Sequence, residues 1–249
     1  CALDDQNNVY CWGSNFSGQC GNGSTSGSVT SPRAVLTSRT FTQVSAGGSH
    51  TCAVEQGTGT VTCWGYNNFG QLGDATTATT GQPVVVLGGR TYTKVSAGGN
   101  HTCAIESGTD NLYCWGRNSK GQLGLPTTSR DYDTPQLVSA TTTYTDVSAG
   151  TSHTCAVTNT GVTECWGDNS DGQLGQNTQG VPSSSPLIVG GTLAFTSIYA
   201  GSLHSCGLTA ADALYCWGAN NNGQLGDGTT TPSSVPVAVA GNLSIAEVE

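Results

Sequence analysis

Ser45–Gly73 reads SAGGSHTCAVEQGTGTVTCWGYNNFGQLG, and it decides the architecture. Two short β-forming runs, near Thr51–Glu55 and Val61–Gly65, carry one cysteine each, and a Trp-Gly pair leads into a turn rich in Asn and Gly. Successive side chains on a strand point to opposite faces. Cys52, Val54, Val61 and Cys63 therefore share one face, and Ala53, Thr62 and Trp64 share the other. Both faces hold apolar groups, as in a sheet covered on both sides.

The stretch recurs. Trp12, Trp64, Trp115, Trp166 and Trp217 are spaced by 52, 51, 51 and 51 residues, and His50, His101, His153 and His204 by 51, 52 and 51. The turn GQ(L/C)G returns at Gly18, Gly70, Gly121, Gly172 and Gly223. Each period reads as four strands. In the second period these are the two runs above, a third near Pro83–Leu87 with its proline at the start, and a fourth at Tyr92–Ser96. Helical periodicity is absent. Four short strands per unit of about 50 residues is the signature of a β-propeller, here with about five blades in one domain, 1–249. The chain opens inside a repeat and contains no Met, so the expectation is a mature product or an excerpt of a longer protein.

Charged residues make up only 9 % of the chain, and its net charge of −9 lacks the basic footprint that nucleic-acid binding requires. All seven Lys and Arg fall between Arg33 and Arg130, while residues 131–249 carry ten acids and no basic side chain. That asymmetry reads as a solubilising surface, or as an acidic arc that attracts a basic partner or divalent cations. No apolar run approaches the roughly 18 residues of a membrane helix, so no membrane span is expected.

Ten of the eleven cysteines form local couples, Cys1/Cys11, Cys52/Cys63, Cys103/Cys114, Cys155/Cys165 and Cys206/Cys216. Placing Cys155 opposite Cys165 leaves Asn159-Thr160-Gly161 as a three-residue hairpin loop, and placing Cys52 opposite Cys63 leaves Gln56–Gly59. Directly opposed residues on antiparallel strands lie within disulfide range, so the spacing predicts five cross-strand disulfides. Zinc is the competing reading, but it needs four converging ligands, usually from closely spaced cysteine pairs. Five disulfides imply an oxidising compartment, hence a secreted or cell-surface protein. Cys20 stands where the other repeats have Leu72, Leu123, Leu174 and Leu225; it reads as a small buried hydrophobe, with an intermolecular bridge as the alternative.

The segments SAGGSHTCAV, YCWGRNSKGQLG and NNNGQLGDGTTTPSSVPVAV resemble the repeat of the regulator of chromosome condensation (RCC1) family. The resemblance covers essentially the whole chain. It implies an all-β propeller built of RCC1-like repeats of about 51 residues, four short antiparallel strands to a blade. The paired cysteines resemble an extracellular, bacterial-type branch. Members of the family bind proteins through loops on a propeller face, secreted inhibitors of β-lactamases among them. The nuclear exchange factor of the family uses an inserted wedge against its small GTPase, and no such insertion interrupts these repeats.

No catalytic constellation stands out, so the chain reads as no enzyme and no cofactor is implied. The repeated histidines and tryptophans read as packing between blades, each imidazole bonding backbone. DNSDG at Asp168–Gly172 mimics part of a calcium loop without the full pattern, and Ca2+ is supported by that fragment alone. Sequons stand at Asn15, Asn22, Asn100 and Asn242. Function is expected where the repeats differ. The variable connection Pro126–Pro135 offers Arg130, Asp131, Tyr132 and Asp133, and the turn tips offer Tyr66, Phe69 and Phe16. Tyr and Arg are favoured anchors at interfaces. The expected function is a secreted, disulfide-stapled, non-catalytic protein-binding module. The alternative is a self-associating structural subunit of a filament, adhesin or surface layer, and a guanine-nucleotide exchange factor fits less well.

Overall fold

The computed structural model describes residues 1–126, 130–241 and 245, and all regular structure among them is strand. Two compact units divide the chain: 1–118 with 130–140, and 119–129 with 141–249.

The first unit holds three sheets. One has β1 (Ala2–Leu3), β2 (Val9–Ser14) and β3 (Ser28–Ala34). The second has β4 (Phe41–Ala46), β5 (His50–Glu55), β6 (Val61–Gly65) and β7 (Thr80–Val85), and the third has β8 (Tyr92–Ala97), β9 (His101–Glu106), β10 (Leu112–Gly116) and β11 (Tyr132–Leu137). The second unit holds two sheets of the same design. They are β12 (Tyr144–Ala149) to β13 (His153–Thr158), β14 (Thr163–Gly167) and β15 (Ser183–Ile188), then β16 (Phe195–Ala200) to β17 (His204–Thr209), β18 (Leu214–Gly218) and β19 (Ser233–Ala238). Every sheet is an antiparallel meander in chain order.

The sheet is out of phase with the sequence repeat by one strand. Tyr92–Ala97 follows β7 in the chain but pairs with β9, so it opens the next sheet instead of closing its own. The third strand also differs from its expected span. It starts at Thr80, which puts Pro83 inside the strand and not at its head. There it sits at a register shift opposite Cys63–Gly65, on a strand paired with another strand on one side only. A proline needs no ladder partner in that place. Pro32, Pro135, Pro186 and Pro236 lie in the corresponding last strands.

The two faces of the β5–β6 hairpin enter different cores, as the alternation predicts. Ala53 and Trp64 pack with Val9, Cys11, Cys20, Val35 and Phe41 of the preceding repeat. Cys52, Val54, Val61 and Cys63 pack with Val95, Ala104 and Trp115 of the following one. The same hairpin face recurs in the second unit, where Cys155, Val157 and Cys165 pack with Ile198 and Trp217. The β4–β7 sheet is thus a partition between two apolar layers, and burial of its large side chains depends on its neighbours.

All five predicted disulfides are present, Cys1–Cys11, Cys52–Cys63, Cys103–Cys114, Cys155–Cys165 and Cys206–Cys216, with Cα atoms 4.0–4.1 Å apart. Cys52 faces Cys63, Cys103 faces Cys114, Cys155 faces Cys165 and Cys206 faces Cys216 directly across the ladder. The loops match too. Thr158 N–H bonds Val162 O around 159–161, with Gly161 at φ +79°. Such short loops should gain roughly 2–3 kcal/mol each from cross-linking. One feature of these strands was not anticipated. On its other side, toward the last strand of the sheet, the ladder slips immediately after Cys114 and again after Cys216, resuming at Gly116 and Gly218. The slip follows Cys11, Cys63 and Cys165 as well, with the extra residues in the last strand, so each disulfide lies on the regular side of a strand whose other neighbour bulges. Cys114 and Cys216 are themselves buried; Cys216 packs with Cys206 and Leu225.

Candidate functional site

The turn after each Trp-Gly pair is built by local bonds. After β6 the Tyr66 N–H donates to Ser49 O at 2.8 Å, and the Phe69 N–H donates to Gln71 Oε1 at 3.1 Å. Asn67 is fully buried between them; its Oδ1 accepts from Leu72 N–H at 2.9 Å and its amide donates to Thr76 O at 3.1 Å. The tip backbone is therefore set before any partner arrives, with Tyr66 and Phe69 in edge contact at 6.0 Å.

The structure joins this tip to the variable connection. At Gly70 (φ +79°) a Cβ would lie 2.5 Å from the Cα of Asp133, so the second repeat's turn rests on β11. Ala75 N–H bonds Asp133 O at 2.9 Å, fixing the same approach. Tyr132 and Asp133 were expected within a loop; both lie in β11, because the last strand starts earlier than its proline suggests. Asp131 Oδ1 accepts the Asn118 N–H at 2.8 Å. Residues 127–129 of the connection lie outside the described residues.

One contributor was not anticipated. Arg117 lies over the Phe69 ring at 4.7 Å, and Arg130 lies over the Tyr132 ring at 5.1 Å. Arg117 occupies the register of Tyr66 one repeat later, which the 51-residue period could have flagged. The resulting surface carries Tyr66, Phe69, Arg117, Arg130, Tyr132 and Asp133. Five of these are aromatic or Arg, the types that dominate binding hot spots. Phe16, 71 % exposed, stands on another tip.

Trp64, Trp115, Trp166 and Trp217 are fully buried as packing residues, whereas Trp12, 47 % exposed, is not. Trp64 and Trp115 donate their indole N–H to Gln19 O and Gln71 O of the preceding turn, and Trp166 and Trp217 do the same to Gln122 O and Gln173 O. Two of the imidazoles, those of His50 and His153, reach a side-chain hydroxyl of the next repeat, where backbone was expected. His50 Nε2 lies 2.9 Å from Thr102 Oγ1, and His153 Nε2 lies 2.9 Å from Ser205 Oγ.

Asp168 does not form a calcium loop. Its carboxylate faces the Lys120 ammonium at 3.5 Å and accepts from the Ser170 hydroxyl at 3.0 Å, so a cation already stands beside it. Among the described residues no three His, Cys, Asp or Glu side chains converge for a metal. Cys20 is 1 % exposed and packs beside Val9, Val35 and Trp64, and burial raises its thiol pKa. That matches the buried hydrophobe and leaves the filament reading without its covalent link. Asn15 is fully buried with its amide bonded to Asn22 Oδ1 and Ser24 O, so that sequon is sealed; Asn242 lies outside the described residues. Among the described residues no helix is long and apolar enough to cross a membrane.

Comparison with known proteins agrees with this architecture. The model of the RCC1-like domain matches residues 9–249. The probable E3 ubiquitin-protein ligase HERC6 of Homo sapiens is 32 % identical over 241 residues, covering 93 % of this chain and 23 % of its own length. The ultraviolet-B receptor UVR8 of Arabidopsis thaliana is 30 % identical over 235 residues, 92 % of this chain and 53 % of its own. The chain therefore spans about half or less of these relatives. Human WBSCR16 superimposes with a TM-score of 0.86 at 24 % identity, covering 96 % of this chain and 64 % of that one. Yeast RCC1 (Prp20), solved bound to Kap60, does so at 0.81 and 20 %, covering 98 % and 62 %. The fold is that of these structures, all-β with four-stranded antiparallel sheets, and the chain belongs to the RCC1-like domain family.

Proposed function

We propose that this chain is a non-catalytic protein-binding module of an oxidising, extracellular or cell-surface compartment. It belongs on this reading to the cysteine-paired, bacterial-type branch of the family, and it presents the Tyr66–Phe69–Arg117–Arg130–Tyr132 surface to a partner. The observation that carries the proposal is the packing of the second repeat's tip on the third repeat, where Arg117 lies over Phe69 and Gly70 rests on Asp133, next to the Arg130–Tyr132 pair. The supporting backbone is bonded in place, so binding incurs little ordering cost. Relatives are consistent with protein recognition: one solved structure holds yeast RCC1 with Kap60, and another describes the binding of Prp20p to Gsp1p and histones. The buried disulfides support the compartment, since such bonds persist outside reducing cytosol. The same disulfides and the net charge of −9 do not favour the exchange-factor reading.

The test is selection of short peptides from a random display library on the disulfide-intact chain, followed by affinity measurement on a Tyr66→Ala/Phe69→Ala variant. Enriched peptides should lose about tenfold or more in affinity. Peptides that bind the variant undiminished would overturn the site.

A further inference from the structure

We infer that the segment bound at this surface is acidic, a peptide that sets carboxylates against Arg117 and Arg130 and an apolar side chain against Tyr66 and Phe69. The inference rests on the reading of that surface as a partner site.

Five of the seven basic side chains fall into two kinds. Arg39, Arg90 and Lys120 lie 2.8, 2.7 and 3.5 Å from the carboxylates of Glu55, Glu106 and Asp168, and their charge is spent within the fold. Arg117 and Arg130 have no carboxylate within ion-pair distance among the described residues; each lies over a ring instead. A guanidinium presents a planar fork of N–H donors that matches a carboxylate bidentately, and a ring beneath it restrains the fork. Two such forks flank one hydrogen bond, because Arg117 adjoins Asn118 and Arg130 adjoins Asp131, the partners in the 2.8 Å contact. That contact also occupies one oxygen of Asp131, the acid next to Arg130 in the chain.

The charge around the surface permits an acidic ligand. The first unit contains six basic and eight acidic residues, whereas the second contains one basic and eight acidic residues. The repulsive excess therefore resides mostly in the unit that lacks the surface. At physiological salt the field of distant acids is screened over about 8 Å, while contacts with the forks act at shorter range. Asp133, exposed at the edge, opposes the ligand and sets the sense of a control.

The experiment uses the same unmodified peptide library on the intact chain, scoring the charge of enriched sequences and their affinity for R117Q, R130Q and D133N. R33Q, in β3 of another sheet, removes the same charge elsewhere. The expected result is enrichment of Asp and Glu beside an aromatic or aliphatic residue. Affinity should fall about tenfold or more in R117Q and in R130Q, hold in R33Q and rise in D133N. Neutral or basic peptides that still depend on Tyr66 and Phe69 would overturn the inference and leave the binding surface standing. Acidic peptides indifferent to both R117Q and R130Q would overturn it too. Peptides indifferent to Tyr66 and Phe69 would overturn both readings.

Discussion

The Nε2 nitrogen of His50 lies 2.9 Å from the hydroxyl of Thr102, one repeat further along the chain. That hydroxyl donates its own proton to Gln71 O at 2.8 Å, so it can only accept from the imidazole. His50 is therefore the neutral tautomer with its proton on Nε2, and its Nδ1 has no hydrogen-bond partner among the described residues. His153 repeats the arrangement through Ser205, whose hydroxyl donates to Gln173 O at 2.9 Å.

Acid should therefore loosen the fold through these rings. Burial lowers the pKa of His50 to about 4 and, as the main cause, that of His153 to about 4, from an ordinary 6.5. Between those values the unfolded chain binds protons that the folded chain refuses, so stability falls as pH falls. Each ring contributes about 1.4 kcal/mol per pH unit across that window and nothing above it. Urea midpoints measured across the window should show this slope, and His50→Gln should reduce it by nearly one proton. A flat profile would refute the assignment.

Two glycines with the same backbone conformation should respond differently to alanine. Gly57 (φ +81°) has nothing within 4 Å of an added methyl, whereas at Gly70 (φ +79°) that methyl would meet the Asp133 backbone at 2.5 Å. Gly57→Ala should cost about 1–2 kcal/mol, the left-handed penalty alone. Gly70→Ala should cost roughly 1–3 kcal/mol more, the overpacking penalty, and should also weaken peptide binding at Phe69. Equal midpoints for the two variants in denaturant titrations would disprove the close approach.

Thiol counting checks the disulfide framework. The folded chain should show no reactive thiol, because Cys20 is buried; denaturant should expose one, and denaturant with reductant eleven. Cys155→Ser/Cys165→Ser should lower stability by about 2–3 kcal/mol. More than one thiol in denaturant alone would remove the argument for an oxidising compartment.

Among the described residues the last strand of each sheet pairs with another strand on one side only, and each of these strands carries a proline. Proline on an edge blocks pairing with another chain. Pro83→Thr should leave the monomer folded, with near-native tryptophan fluorescence, yet raise concentration-dependent association in light scattering. Unchanged scattering at high concentration would assign the prolines a purely local role at the bulge.

The period of the tryptophans, the alternation across Cys52–Trp64 and the spacing of the cysteine couples were enough to read the strands, the two-faced sheets and all five disulfides. Those features are local, since each depends on residues within one hairpin and on the two-residue rhythm of a strand. Stacking decided the rest. Periodicity counts residues but does not say where one sheet ends, so only the ladder showed that Tyr92–Ala97 belongs to the following sheet. The slips after Cys114 and Cys216 were illegible for the same reason, because a bulge is defined by the partner strand. The meeting of Phe69 with Arg117 and of Gly70 with Asp133 spans 48 and 63 residues and follows from how consecutive sheets lie against each other. The variability of the connection between repeats singled out Arg130 and Tyr132; only close packing of backbone on backbone at a glycine brought their segment against the aromatic tip.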